Sequence, residues 1–435
     1  MIRRFLVSAC LVFLLTPAMS SQTPSSSDDT ELKFVVYISR HGVRSPTGKP
    51  SQYNTYSIAP WPAWDVPPGY LTAHGYHLME IFGAYDRMLL AKEGLLGSTG
   101  CDDAGSVTFY ADSDQRTRET GKAMAAGLFP GCSIPVQSLA EGTNDPLFHP
   151  VAASIGHENS NLAVSAIAGR IGNRPESLTE AHRTQLASLD KLLATCGVSA
   201  TTQQKRTSLF EIPPTLTSGT GDHLADLRGP LNIASTLTEN LLLEYAEGID
   251  ISNVGWGCVD GATLRSLINL HTAASDFTQR TPEIARIQAT NLLDQIHRAL
   301  EQAVTHQSIP GTLGKPTGRA LFLIGHDTNI SNIAGLLNMT WIVDDRRDDT
   351  PPGGALVIEL WKKRKMEDYS VRLYYTAQTL EQMRSTATLS PTNPPQRVSI
   401  FLPDCSKEDF SCTWPEFSNA IRRAINPRYV SLNSR

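Results

Sequence analysis

Two short runs of polar residues carry side chains that could do chemistry. The first reads Ser39-Arg40-His41-Gly42-Val43-Arg44-Ser45-Pro46, and the second Gly325-His326-Asp327-Thr328-Asn329. In the first, two guanidiniums flank a histidine. Each can offer a fork of donors to phosphate oxygens, which the point charge of a lysine does not match. Their charge also disfavours protonation of His41, so the imidazole keeps a lone pair in acid. A neutral imidazole beside a clamped phosphate is a nucleophile for phosphoryl transfer. Gly42 lets the backbone bend tightly next to a ligand. In the second run His326 can donate to a phosphate oxygen, and Asp327 can protonate a departing alkoxide that would otherwise leave too slowly. A third clamp comes from Ser113-Asp114-Gln115-Arg116-Thr117-Arg118, where Arg116 and Arg118 qualify about equally on physical grounds. Taken alone, Arg-His-Gly-x-Arg is as readily a solvated loop, and Asp327 a helix cap. Together the two runs favour the chemical reading.

The elements around them supply the reason. Residues 34–38 and 320–324 are apolar runs of the kind a buried parallel strand needs, and each leads straight into one of the polar runs. Residues 107–110 form a third such strand, ahead of the Arg116 segment. Open parallel sheets bind ligands beyond the carboxyl ends of their strands, so all three segments converge there. Leu71, Leu78, Ile81, Phe82, Tyr85, Met88 and Leu89 recur at helical spacing, and a helical stretch follows to Leu128. Further strands are expected at 356–361 and 371–375, after the turn Pro351-Pro352-Gly353-Gly354. Between 151 and 277 the periods are helical, as at 231–245 and 262–274. The expected fold is α/β: a parallel-sheet domain, residues 31–150 and 279–435, interrupted by a mainly helical insertion, residues 151–278.

Composition sets the surroundings. The chain has 435 residues, a net charge of −5 and 40% hydrophobic residues, which suits a folded enzyme and offers no basic footprint for nucleic acid. Arg3 and Arg4 precede an apolar run too short to span a bilayer, and small residues before Ser21 place signal cleavage after residue 20. Lipoprotein processing at Cys10 and twin-arginine export are the lesser alternatives. Loss of residues 1–20 removes two arginines and no acid, taking the charge from −5 to −7. Residues 21–30 read as a flexible leader. The mature chain is expected in the periplasm or outside the cell, as a monomer with no membrane attachment. It keeps six cysteines, an even number that reads as disulfides with fifteen possible pairings. His74 and His77 stand three apart without a carboxylate set and read as a solvated helix start, not a metal site.

Beyond these physical readings, Arg40-His41-Gly42-Val43-Arg44-Ser45-Pro46 with His326-Asp327 resembles the histidine acid phosphatase family, the longer branch of the histidine phosphatases. Within it the match is to the bacterial periplasmic phytases and their glucose-1-phosphatase relatives. It runs from about Leu32 to Cys412 and includes LTAHG (71–75), RTRETG (116–121), DPLFHP (145–150), QRTPEIA (279–285), GHDTN (325–329) and TPPGG (350–354). The resemblance implies a phosphoglycerate mutase-like fold, with substrate in the cleft between an α/β domain and a helical one. It implies a phosphohistidine on His41, a proton from Asp327, and a phosphate clamp of Arg40, Arg44, Arg116 and His326. Thr47, His271 and Thr328 match positions that touch phytate. No cofactor or metal is implied. The disulfides Cys101–Cys132 and Cys405–Cys412 match the family pattern, and Cys196 and Cys258 are left to pair.

This chain also departs from the family. Gly48 stands where a lysine is usual, with Lys49 one place later. Thr236 replaces a pocket methionine, and Gln288 an arginine. Gly156 stands where a family cysteine would be. Fewer fixed cations weaken the grip on a polyanion but leave monophosphate hydrolysis intact. The activity the resemblance implies is acid hydrolysis of phosphate monoesters, phytate foremost. Glucose 1-phosphate or a broader range of sugar phosphates is the alternative. A phosphate-binding protein without catalysis would lack His41 or Asp327, and both are present.

Overall fold

The computed structural model describes residues 29–197 and 205–431. The expected signal segment, 1–20, lies outside the described residues, as does the leader up to residue 28. In chain order the strands are β1 (Thr30–Arg40), β2 (Val107–Ala111), β3 (Val136–Gln137), β4 (Thr215–Ser218), β5 (Ala225–Arg228), β6 (Ala320–Gly325), β7 (Ile342–Val343), β8 (Arg346–Arg347), β9 (Ala355–Lys363), β10 (Tyr369–Ala377), β11 (Gln396–Ser399) and β12 (Ser411–Thr413). The central sheet runs β11-β10-β9-β1-β6-β2-β3, with β12 also on β10. Thr30, expected in the leader, already pairs with Lys363, because β1 continues past its apolar run to the open end of β9.

The strands that carry the polar runs are parallel, as expected: β1 on β6, β6 on β2, β2 on β3. From β1 outward through β9, β10, β11 and β12 the pairing is antiparallel, so the sheet is mixed. Register places Arg40 opposite Gly325, and Ala111 opposite Ile324. Three strands therefore end side by side, and the residues that follow them are His41, His326 and Asp112.

Alternation along these strands splits the core between the two faces. Val36, Ile38, Leu321 and Leu323 face helices α10 and α11, and Val35, Tyr37, Phe322 and Ile324 face α2 and α3. These helices belong to the set α1 (Pro50–Tyr53), α2 (Ala73–Lys92), α3 (Gln115–Leu128), α4 (Ser160–Arg170), α5 (Glu176–Ala181), α6 (Arg183–Thr195), α7 (Pro230–Ala246), α8 (Gly261–Leu267), α9 (Asn269–Thr278), α10 (Pro282–Thr305), α11 (Asp327–Leu336), α12 (Leu380–Arg384) and α13 (Trp414–Ala424). With both faces covered, β6 is buried throughout, and its run ALFLIG shows no polar alternation.

A third core joins α4 to α9 and takes Val43, Leu78, Leu380 and Met383 from the sheet side. The helical period expected at 262–274 is met by two helices, α8 and α9, which meet at Ile268. Gly75 permits the tight junction of α2 with the first polar run. A Cβ there would lie 2.1 Å from the Val43 carbonyl oxygen. Disulfides join Cys101 to Cys132, Cys196 to Cys258 and Cys405 to Cys412. No helix among the described residues is long and apolar enough to cross a membrane.

Candidate active site

His41 is held from both sides of the sheet. Its backbone N–H donates to Gly325, and its carbonyl accepts from Gly353, at 3.0 and 2.9 Å. The ring is buried, and Nδ1 lies 2.8 Å from the Gly42 carbonyl oxygen. A carbonyl only accepts, so Nδ1 carries the proton and Nε2 keeps its lone pair. Burial holds the imidazole well below its ordinary value, reinforced by the charges of Arg116, Arg44 and Arg40. Desolvation, which the sequence reading did not invoke, is therefore the largest single cause of this neutral state, with each guanidinium adding to it.

The residues expected from sequence to clamp phosphate surround it. Arg40 is fully buried, donates to the Thr350 carbonyl at 2.5 Å, and pairs with Glu239 of α7. Arg44 lies 3.8 Å from the same carboxylate and is pushed down to about 10 by burial, still charged in acid. Arg116 reaches within 3.4 Å of His326 Nδ1 and 2.5 Å of Asp114. Arg118 pairs instead with Glu141. His326 caps α11 and directs Nε2 to Asp112, 2.7 Å away.

Asp327 opens α11. One carboxylate oxygen accepts its neighbour Thr328's N–H at 2.9 Å, and the other lies 3.7 Å from Arg40 and 3.6 Å from His271. Burial pushes its pKa up, but Arg40 and His271 outweigh that and hold the carboxyl well below the usual range. His271 comes from α9 and touches Ser235 of α7 at 3.1 Å. Burial works against its protonation, yet Asp327 and Glu239 raise its pKa overall. Thr47 is exposed. The helical unit thus meets the strand ends through Glu239 and His271.

A model of the histidine phosphatase superfamily (branch 2) matches residues 31–376. The chain belongs to that family. This phosphatase is 35% identical to phytase AppA of Escherichia coli (strain K12) over 425 residues, 96% of this chain and 97% of that one. It is 27% identical to a glucose-1-phosphatase of Providencia rettgeri, over 96% of this chain and 97% of the other. A Hafnia alvei phytase solved with myo-inositol hexakis sulphate aligns with a TM-score of 0.82 and 34% identity, covering 93% of this chain and 99% of that one.

Several polar residues that this phosphatase gathers beside His326 were not singled out from sequence. His149 lies 3.0 Å from Asp112 through Nε2 and 2.7 Å from Asp222 through Nδ1. Burial opposes its charge, but the two carboxylates raise it to about 10. For Asp112, burial pushes upward while bonds from His149 and His326 hold it far below the usual range. The clues were present: Asp112 directly follows a strand, and His149 sits in DPLFHP. Asp112, Asp114, His149 and His326 bring ligand-type atoms within 4.8 Å of one another, but the Arg116 cation sits against them and their hydrogen bonds are mutual. His74 instead meets the Met383 carbonyl at 3.0 Å, while His77 meets Glu80.

The departures gain physical reasons. A Cβ on Gly48 would lie 2.4 Å from the Tyr53 hydroxyl, which accepts the Gly48 N–H at 2.7 Å. Gln288 is buried and donates to the Asp222 carbonyl at 2.8 Å, steadying the loop that holds His149. Thr236 is exposed on α7. Gly156 has φ +77°, and a Cβ there would lie 2.5 Å from Ile287, so a cysteine would be strained as well as crowded.

Proposed function

We propose that this phosphatase hydrolyses phosphate monoesters in acid, phytate foremost, through a phosphohistidine on His41. The observation that carries the reading is the neutral His41, with Nδ1 engaged by Gly42 and Nε2 free among three arginines. Arg40, Arg44 and Arg116 take the phosphoryl oxygens, with His326 beside them. Nε2 attacks phosphorus, the N–P bond forms, and the P–O bond to the leaving group breaks as Asp327 gives that oxygen a proton. Water then attacks phosphorus, returns its proton to Asp327, and frees His41 and phosphate.

Below about pH 6 a phosphate monoester still carries a proton. The arginines favour its dianion, and the bound charge offsets the pull of Arg40 on Asp327. The ester's proton can then pass to the Asp327 carboxylate and onward to the leaving oxygen. Thr47, His271 and Thr328 would meet the outlying part of the substrate.

Residues 31–150 and 279–435 form the α/β unit in this reading, and 151–278 the inserted helical one. Its separate core, which begins at Val151 in chain order apart from sheet-side contributions, supports the division. Export to the periplasm or beyond is supported by the disulfides. The test is turnover of phytate against glucose 1-phosphate, with products resolved. Stepwise loss of phosphate from phytate at the higher kcat/KM supports it. A clear preference for glucose 1-phosphate would make the sugar-phosphate alternative the correct one.

A further inference from the structure

Behind Arg40 lies a buried ion-pair network that the reaction scheme does not use. Arg346 of β8 is fully buried; its Nη1 pairs with Asp344, and its Nε donates to Asp349 at 2.6 Å. Asp349 is just as buried, and Asp344 nearly so. Asp344 also accepts from Arg265 of α8 at 3.0 Å and from the Leu380 N–H at 2.9 Å. The segment so tied is sharply bent. Asp344, Asp345 and Asp348 stand at φ +48°, +60° and +51°, a left-handed region that non-glycine residues keep only where their surroundings hold them.

Stability alone does not call for these charges, because well-packed apolar residues commonly serve a core as well as a buried ion pair. The residues that follow carry the network to the site. Thr350, next to Asp349, offers its carbonyl to Arg40 Nη1 at 2.5 Å, while Arg40 Nη2 pairs with Glu239. The Gly353 N–H then meets the His41 carbonyl, and the Gly354 carbonyl accepts the Arg40 N–H, both at 2.9 Å. One short turn thus holds the backbone of Arg40 and His41 and one end of the Arg40 guanidinium. Released by Thr350, that guanidinium would swing towards Glu239 and Asp327, the latter 3.7 Å away.

We propose that Arg346 is a positioning residue for phosphoryl transfer: through Asp349 it sets the Thr350 carbonyl, which aims Arg40 at the phosphoryl group beside His41. This role rests on the phosphohistidine reading of His41. Arg44 and Arg116 are held by other partners, Ser45 and Glu239 for one and Asp114 for the other. Without Arg346 they still bind the phosphate of the ground state, and the alignment needed in the transition state is what is lost.

The test compares two variants by steady-state kinetics on p-nitrophenyl phosphate, with thermal melts giving the folded fraction at the assay temperature. The double variant Arg346→Met/Asp349→Asn removes one charge of each sign and leaves Asp344 its Arg265 partner, so no charge is stranded. Its kcat should fall at least ~10-fold, while KM and competitive inhibition by inorganic phosphate change by under about 3-fold. Arg346→Lys keeps the cation without the fork and should fall in between. Wild-type kcat in the folded double variant would overturn the role. So would a loss that only tracks the unfolded fraction, or one matched by an equal rise in KM. His41→Ala is measured alongside: full activity there would end the phosphohistidine reading, whereas an inactive His41→Ala beside an unaffected double variant would end only the role of Arg346.

Discussion

His326 and Asp112 meet at the ends of adjacent strands, with Nε2 of the histidine 2.7 Å from a carboxylate oxygen. The bond fixes the ring so that Nδ1 faces Arg116. Asp112→Asn keeps the size and an acceptor but removes the charge. It should lower kcat by roughly 10²-fold, as small misplacements of catalytic groups do, with a smaller change in KM. Steady-state kinetics across pH would check this, because removing the carboxylate also lets His326 lose its proton at lower pH. An unchanged kcat would mean that His326 needs no such support.

His149 makes the fold itself pH-sensitive. Its folded value of about 10 lies above the ordinary 6.5, so folding favours the protonated ring. That contribution is full below about 6.5 and is lost as pH rises towards 10. Asp112 behaves oppositely: it is held below its ordinary 3.8, and its contribution fades as pH falls through the values beneath that. His149→Gln should therefore lower Tm by about 3 °C or more at pH 5 and by much less at pH 10. Thermal melts at the two pH values decide it.

Gln288→Arg probes the missing charge. The arginine would enter beside Asp222, which already holds His149, and should add a cation near the outlying phosphates. The KM for phytate should fall more than that for a monophosphate. Equal effects on both would place residue 288 outside the substrate's reach.

How much of this could be read from the chain depends on where the signal lay. β1 and β6 announce themselves as apolar runs because both faces of the sheet are covered, and the polar residues after them gave His41 and Asp327. Strand direction was hard to read: the start of β9, residues 355–358, is as apolar as β6, although β9 runs antiparallel to both its neighbours. β3, two residues long, is too short for any pattern. The apolar period runs through Ile268 without a break, which hid the joint between α8 and α9. Asp112, His149 and Asp222 are single polar residues from three separate segments. Only the fold brings them together, so their joint role was invisible to spacing.

Asp327 is tested by the leaving group. An inositol or sugar alkoxide needs a proton to depart, and p-nitrophenolate needs far less help. Asp327→Asn should slow phytate hydrolysis at least ~10-fold more than p-nitrophenyl phosphate hydrolysis, within the usual range of general acid catalysis. Wild-type activity on phytate should fall as pH rises through roughly 6, where the bound ester and Asp327 lose their shared proton. Equal slowing of both substrates would move the proton to another group, Glu239 being the next to mutate.

The central claim is the covalent bond to His41, and rapid quench with radiolabelled phosphate ester tests it most directly. The wild-type enzyme should yield a protein-bound phosphate that is labile in acid and stable in base, mapping to the peptide that contains His41. His41→Ala, still folded, should trap none and turn over no substrate. Label recovered on a serine, or full activity in the folded His41→Ala protein, would contradict the account.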